Sequence, residues 1–186
     1  ANELKEIPEY VFEELEHFKR SLSKMTNCRI IDESDLSVDD IEDFIREAKK
    51  EMQVDYMNVT IDLTTMLREF TVSGGNRADV IEIAMNKLNV IAKKYKVHIL
   101  NIVQSNRQQD SMRLNSIDDV HKLYPTLNNI KSSNAIAERS RLVLGLFRPK
   151  YYAERYFPEA PELELMDDLM HVSILKQSQG AMGEMV

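Results

Sequence analysis

Asp62 and Gln104 are the residues whose chemistry and placement combine most readily. Each closes an apolar, strand-like run: Asn58-Val59-Thr60-Ile61-Asp62-Leu63-Thr64-Thr65-Met66-Leu67 and Val97-His98-Ile99-Leu100-Asn101-Ile102-Val103-Gln104-Ser105-Asn106-Arg107. In open α/β sheets, ligands sit just beyond the carboxyl ends of parallel strands. A carboxylate there can hold the water shell of Mg2+, and an amide one strand away can sense a phosphate. The pair therefore suits a magnesium–nucleotide site. Two buried strands that simply end in a polar residue are the alternative.

The elements around these residues must deliver them to one edge. Val11, Leu15, Phe18, Leu22 and Met25 recur at helical spacing, which predicts an amphipathic helix over residues 8–25 with Pro8 near its first turn. Cys28-Arg29-Ile30-Ile31-Asp32 reads as a short strand. Ser37 opens a second helix, with Asp40 completing a capping-box variant and Val38, Ile41, Phe44, Ile45, Ala48 and Met52 as its buried stripe. After the Asp62 strand, Ser73-Gly74-Gly75-Asn76 reads as a mobile loop. A third helix is predicted from Asp79 to Tyr95, with Val80, Ile83, Ala84, Leu88, Ile91, Ala92 and Tyr95 on one face. The Gln104 strand follows directly. Residues 108–124 are polar, with a candidate helical turn at Asp118–Leu123. Leu142–Phe147 and His171–Leu175 are further strands, joined by an irregular Pro149–Pro161 excursion. Alternating helices and apolar strands predict an α/β parallel-sheet architecture.

With 186 residues, 43% of them hydrophobic, the chain suits one domain with a sizeable core. No apolar stretch approaches the ~20 residues of a membrane span, and the acidic, amphipathic start does not read as a signal peptide. A single cysteine, Cys28, excludes an internal disulfide and suits a reducing cytoplasm. His17, His98, His121 and His171 lack zinc-ligand spacing. The net charge of −7 argues against a general polyanion binder. Its distribution is uneven, however: residues 1–62 hold 8 Lys/Arg against 17 Asp/Glu, residues 63–151 hold 14 against 7, and residues 152–186 hold 2 against 7. The basic middle either marks a local nucleic-acid surface or reflects solvated helix faces such as that of Lys93, Lys94 and Lys96.

Several motifs, in order, resemble the C-terminal part of a DnaB-type replicative helicase, a hexameric ATPase of RecA-like fold. Ile61-Asp62-Leu63-Thr64-Thr65-Met66 stands where that family has its Walker B Ile-Asp-Tyr-Leu-Gln-Leu. Val103-Gln104-Ser105-Asn106-Arg107 matches Ser-Gln-Leu-Asn-Arg in three of five positions. The stretch from Pro125-Thr126-Leu127-Asn128-Asn129-Ile130-Lys131-Ser132-Ser133 through Arg148 follows Pro-x-Leu-Ser-Asp-Leu-Arg-Glu-Ser and the next strand without a gap. Lys176-Gln177-Ser178-Gln179-Gly180 is similar to a Lys-x-Arg-x-Gly stretch that reaches into a neighbouring subunit's ATP site.

The resemblance implies a RecA-like three-layer fold with a mainly parallel sheet, in one partial domain. Residues 1–55 would be a helical lead-in, 56–148 the core from Walker B to the DNA loop, and 149–186 the C-terminal strands. Asp62 would be the Walker B carboxylate on a magnesium-bound water, and Gln104 would couple the γ-phosphate of ATP to the DNA-facing loop. Arg107 would stand near the phosphates or the subunit boundary, and Lys176 would act in trans on the neighbour's γ-phosphate. Lys131 and Ser133, with Arg113, Lys122 and the Gly74-Gly75 loop, would face single-stranded DNA in a ring-shaped homo-oligomer and track its backbone.

The departures are specific. No Gly-x-x-x-x-Gly-Lys-Ser/Thr occurs, so the backbone cradle that binds a triphosphate would have to come from an upstream half or a partner chain. Ser178 replaces an arginine finger, Ser132 and Asn134 replace Glu and Gly, and Arg139 and Arg141 stand in place of two Asp. Three functions follow: a helicase motor segment completed by an upstream P-loop, a catalytically inactive RecA-like module that docks on a helicase or recombinase, and another RecA-like recombinase ATPase.

Overall fold

The computed structural model describes residues 8–71, 77–105, 113–130, 134–180 and 183–185. Ser37 starts helix α2 (Val38–Met52) as expected. Its hydroxyl accepts from the Asp40 amide at 3.2 Å while the Asp40 carboxylate accepts from the Ser37 amide at 2.8 Å. The Ser37 hydroxyl bonded to Asp40 holds that carboxyl below its ordinary pKa. Val38, Ile41, Ile45 and Ala48 then turn inward at helical spacing. Strand β1 (Met57–Asp62) alternates, with Met57, Val59 and Ile61 against the core and Asn58, Thr60 and Asp62 exposed. Helix α4 (Arg77–Tyr95) carries the chain back and buries Ile81, Ala84, Met85, Leu88 and Ile91. Strand β2 (Val97–Ile102) lies parallel to β1, from Met57 opposite Val97 to Asp62 opposite Ile102. A helix linking two parallel strands is the crossover the sequence predicted.

These elements share one cluster. Val38, Ile41 and Ile45 meet Ile61 and Val97 from the strands, Leu88 and Ile91 from α4, and Ala135 and Ile136 from α5 (Asn134–Arg139). Each fully buried Ile or Leu contributes about 1.5–3 kcal/mol, so this cluster dominates the stability of the region. Helix α3 (Arg68–Thr71), which the pattern did not reveal, adds the fully buried Phe70.

A second, antiparallel sheet follows the order β3 (Leu142–Phe147), β4 (His171–Gln177), β5 (Gly183–Met185). Beside it Val120, Leu123, Phe147 and Ala153 form a smaller cluster, with Tyr124 and Tyr152 packed on Phe147. Gly145 permits the close approach of Pro125: a Cβ there would lie 2.6 Å from Pro125 Cγ.

Four local expectations are corrected. Cys28–Asp32 forms no strand, because none of the described strands pairs with it, and Ile30 is left 80% exposed. Helix α1 (Glu9–Ser23) forms, yet Val11, Leu15 and Phe18 are exposed. Ile83 points outward from α4, and Ile81 and Met85 take the inward positions. The Pro149–Pro161 excursion contains helix α6 (Pro149–Tyr156), since proline at the first helical position removes no needed donor.

Candidate functional site

The β1–β2 register carries Asp62 to the carboxyl end of its strand, opposite Ile102, and Gln104 follows two residues beyond Ile102. Both side chains are exposed. Asp62 lies on the face away from the α2–α4 core, together with Leu100 and Ile102, which are 48% and 37% exposed.

The chain after Asp62 is fixed by several bonds. The Asp62–Leu63 peptide is cis, and residues Thr64–Met66 make one 3-10 turn. The fully buried Thr64 hydroxyl donates to Asn101 Oδ1 at 3.1 Å. The Arg68 amide donates to the Leu36 carbonyl at 2.8 Å, and Glu69 Oε1 accepts from the Val38 amide at 2.9 Å. The Arg68 guanidinium also donates to the Asp35 carbonyl at 2.6 Å. A turn held to α2 and to β2 at once gives Asp62 a defined position.

Gln104 has a different support. Ser105, its neighbour, pairs with Ile130 in an isolated antiparallel bridge, and Ile130 immediately precedes Lys131. The bridge thus ties the Gln104 strand end to the start of the Lys131 segment.

The other candidates divide. Lys176, on β4, donates to the Ala137 carbonyl at 2.8 Å and the Glu138 carbonyl at 2.7 Å, near the C-terminus of α5. A cation suits that end of a helix. The following Ser178 donates from both its amide and its hydroxyl to the Arg141 carbonyl. Lys122 pairs with Asp119 at 2.6 Å and, by that bond, holds the Asp119 carboxyl below its ordinary pKa. It stands on a 3-10 helix, Ile117–Leu123, whose Val120 and Leu123 are buried. This part of the polar 108–124 stretch is therefore core-packed, because two apolar residues three apart face the second cluster. Arg113 is exposed just before it. Gly74, Gly75, Arg107, Lys131 and Ser133 lie outside the described residues.

Among the described residues, no three His, Cys, Asp or Glu side chains are grouped to hold a metal. A lone exposed Asp62 fits a carboxylate that binds Mg2+ through water, the remaining ligands coming from phosphates and solvent, which is how Mg2+ is commonly held. No helix among the described residues is long and apolar enough to cross a membrane.

Sequence reasoning did not single out the Thr64–Asn101 bond. A signal was present: Asn101 interrupts Ile99-Leu100-Asn101-Ile102 at a core-facing position, where a polar group needs a partner.

The parallel ribbon, its crossover helix and the flanking α2 define an α/β core. The family model described as "DnaB-like helicase C terminal domain" matches residues 3–186, and the chain belongs to that family. It is similar to a DnaB-like replicative helicase whose structure was described with its interactions with primase, at 20% identity and a TM-score of 0.75, over 99% of this chain and 40% of that one. It is also similar to a second solved chain, described as an ATPase domain, at 20% identity and a TM-score of 0.73, over 93% of this chain and 55% of that one. The chain thus spans roughly half, or less, of the solved chains it matches. No curated protein matches the sequence.

Proposed function

We propose that this helicase domain is the rear half of an ATP-driven motor that translocates on single-stranded DNA, completed by an upstream P-loop segment. The observation that carries the reading is the β1–β2 register, with Asp62 at one strand tip and Gln104 just beyond the adjacent one. In this reading Asp62 holds a water of the Mg2+ that accompanies ATP, and Gln104 contacts the γ-phosphate. The Ser105–Ile130 bridge relays the state of that contact to Lys131 and Ser133 on the DNA side. Arg107 supplies a further cation near the phosphates. Lys176 acts on the neighbour's γ-phosphate in a ring of copies, after leaving the two α5 carbonyls. Arg113, Lys122 and the Gly74-Gly75 loop add backbone contacts to DNA.

The uncovered face supports completion by another segment. Leu100 and Ile102 on the parallel ribbon are exposed, as are Leu142, Leu144 and Leu146 on β3. Parallel strands of α/β folds are covered on both faces, and the leucine face of β3 is a further apolar surface that another segment could cover.

ATP hydrolysis by the full-length protein tests the reading. Asp62→Asn and Gln104→Ala should each abolish most DNA-stimulated turnover, and near-wild-type rates in both would overturn it. Charge reversal at Lys131, Arg113 and Lys122 should weaken single-strand binding and flatten its salt dependence. One observation favours a second reading, an inactive module that docks on a helicase or recombinase: Lys176 and Ser178 both make structural contacts to backbone carbonyls. Undetectable hydrolysis by the full-length protein, with binding to such a partner, would establish it.

A further inference from the structure

Asp62 ends one strand and Gln104 lies two residues past the end of the next, and strand ends are where a ribbon frays and twists. Backbone pairing ends with Asp62 opposite Ile102. Thr64, past that last pair, turns back onto the ribbon: its Oγ1 donates to Asn101 Oδ1 at 3.1 Å, with the Ile61 carbonyl 3.4 Å from the same hydroxyl. Thr64 is fully buried, and Asn101 is partly buried opposite Ile61 in the register. Asp62 lies two residues before Thr64, and Gln104 three residues after Asn101. The bond therefore ties the turn that follows Asp62 to the strand that leads to Gln104, on the core side of the ribbon, while the Asp62 carboxylate emerges on the opposite side.

We infer that Thr64 and Asn101 are a positioning pair that sets the distance and relative orientation of Asp62 and Gln104. This inference rests on the magnesium–nucleotide reading of those two groups. Apolar packing alone would keep the turn in place but leave it free to slide by fractions of an ångström. A hydrogen bond whose donor is fully buried and whose acceptor is partly so is directional and largely shielded from competing water, so it favours one geometry. Rate depends steeply on such placement, and an error near 1 Å costs on the order of 10²-fold. The pair touches neither nucleotide nor metal, so it acts only through the residues it holds.

The test separates positioning from packing in the full-length protein. Thr64→Val removes the hydroxyl and strands the Asn101 amide. Thr64→Val with Asn101→Leu makes both partners apolar, which restores packing without the directional bond. Thr64→Ser keeps the hydroxyl. We expect Thr64→Ser to match wild type. Both Thr64→Val and the double variant should lose about tenfold in kcat, with KM for ATP within about twofold, as a partial misplacement predicts. The double variant should meanwhile recover the thermal midpoint that Thr64→Val loses. Recovery of both midpoint and kcat in the double variant would overturn the inference and reduce the pair to packing. Asp62→Asn distinguishes the two levels. If it is inactive while the double variant turns over normally, the positioning role alone fails; if wild-type turnover survives Asp62→Asn, the nucleotide reading and this inference fall together.

Discussion

Helices α1 and α2 are each 15 residues long and carry an apolar stripe, yet they meet opposite fates. In α2 the stripe closes on β1, β2 and α4, and the first turn is capped by Ser37, Asp40 and Glu69. In α1 every described side chain from Glu9 to Ser21 is exposed, Phe18 by 58%. The difference lies outside the helices. Helical periodicity records that a face is meant to be covered, and only the neighbouring elements decide whether this chain covers it. An amphipathic helix therefore reports a demand for a partner as readily as it reports a core.

Substitutions at matched places on the two helices sharpen this contrast. The largest effect belongs to Ile45→Ala, which opens a void in the main cluster and should cost about 2–5 kcal/mol in chemical denaturation. Ser37→Ala should come next, at about 1 kcal/mol, because the Asp40 amide loses its acceptor. The Asp40 carboxyl contributes in a pH-dependent way. Its folded pKa lies below the ordinary 3.8, so its stabilisation is present above that value and is lost as pH falls through the folded one. Thermal melts of wild type and Asp40→Asn should differ at neutral pH and converge in acid, whereas a constant gap would place the effect elsewhere. Phe18→Ala on α1 should change the stability of this chain by less than about 0.5 kcal/mol. A loss comparable to that of Ile45→Ala would mean that α1 is covered in solution, and the contrast would break.

The parts of the fold legible in the sequence were those in which a local pattern and its partner lie close along the chain. Ser37 and Asp40 announced the start of α2, and the 3.6-residue period located α4, because a cap and a stripe are complete within one helix. The strand end at Asp62 was legible for a similar reason, a polar residue closing an apolar run, whereas β2 stops at Ile102, two residues short of Gln104. Cys28–Asp32 was misread since a strand exists only with a ladder partner, which no five-residue pattern contains. Residues 149–161 were misread because proline there marks a helix start and not an irregular path. For the candidate site, the sequence pattern singled out Asp62 and Gln104 as candidates, but the Thr64–Asn101 bond joins positions 37 residues apart. The carbonyl seat of Lys176 on α5 likewise depends on a tertiary neighbour 38 or 39 residues away.

Strand β3 bears on the behaviour of this chain in a concentrated solution. Its sequence, Leu-Val-Leu-Gly-Leu-Phe, carries no charge and no proline, and the three leucines stand 44–61% exposed on one face. Only β4 pairs with it among the described strands, so its other side is an open template. Six uncharged residues of this kind are the sort that stack between copies into fibrils. Pairing of copies along this edge is the expected consequence, and Leu144→Lys is the simplest change that would oppose it.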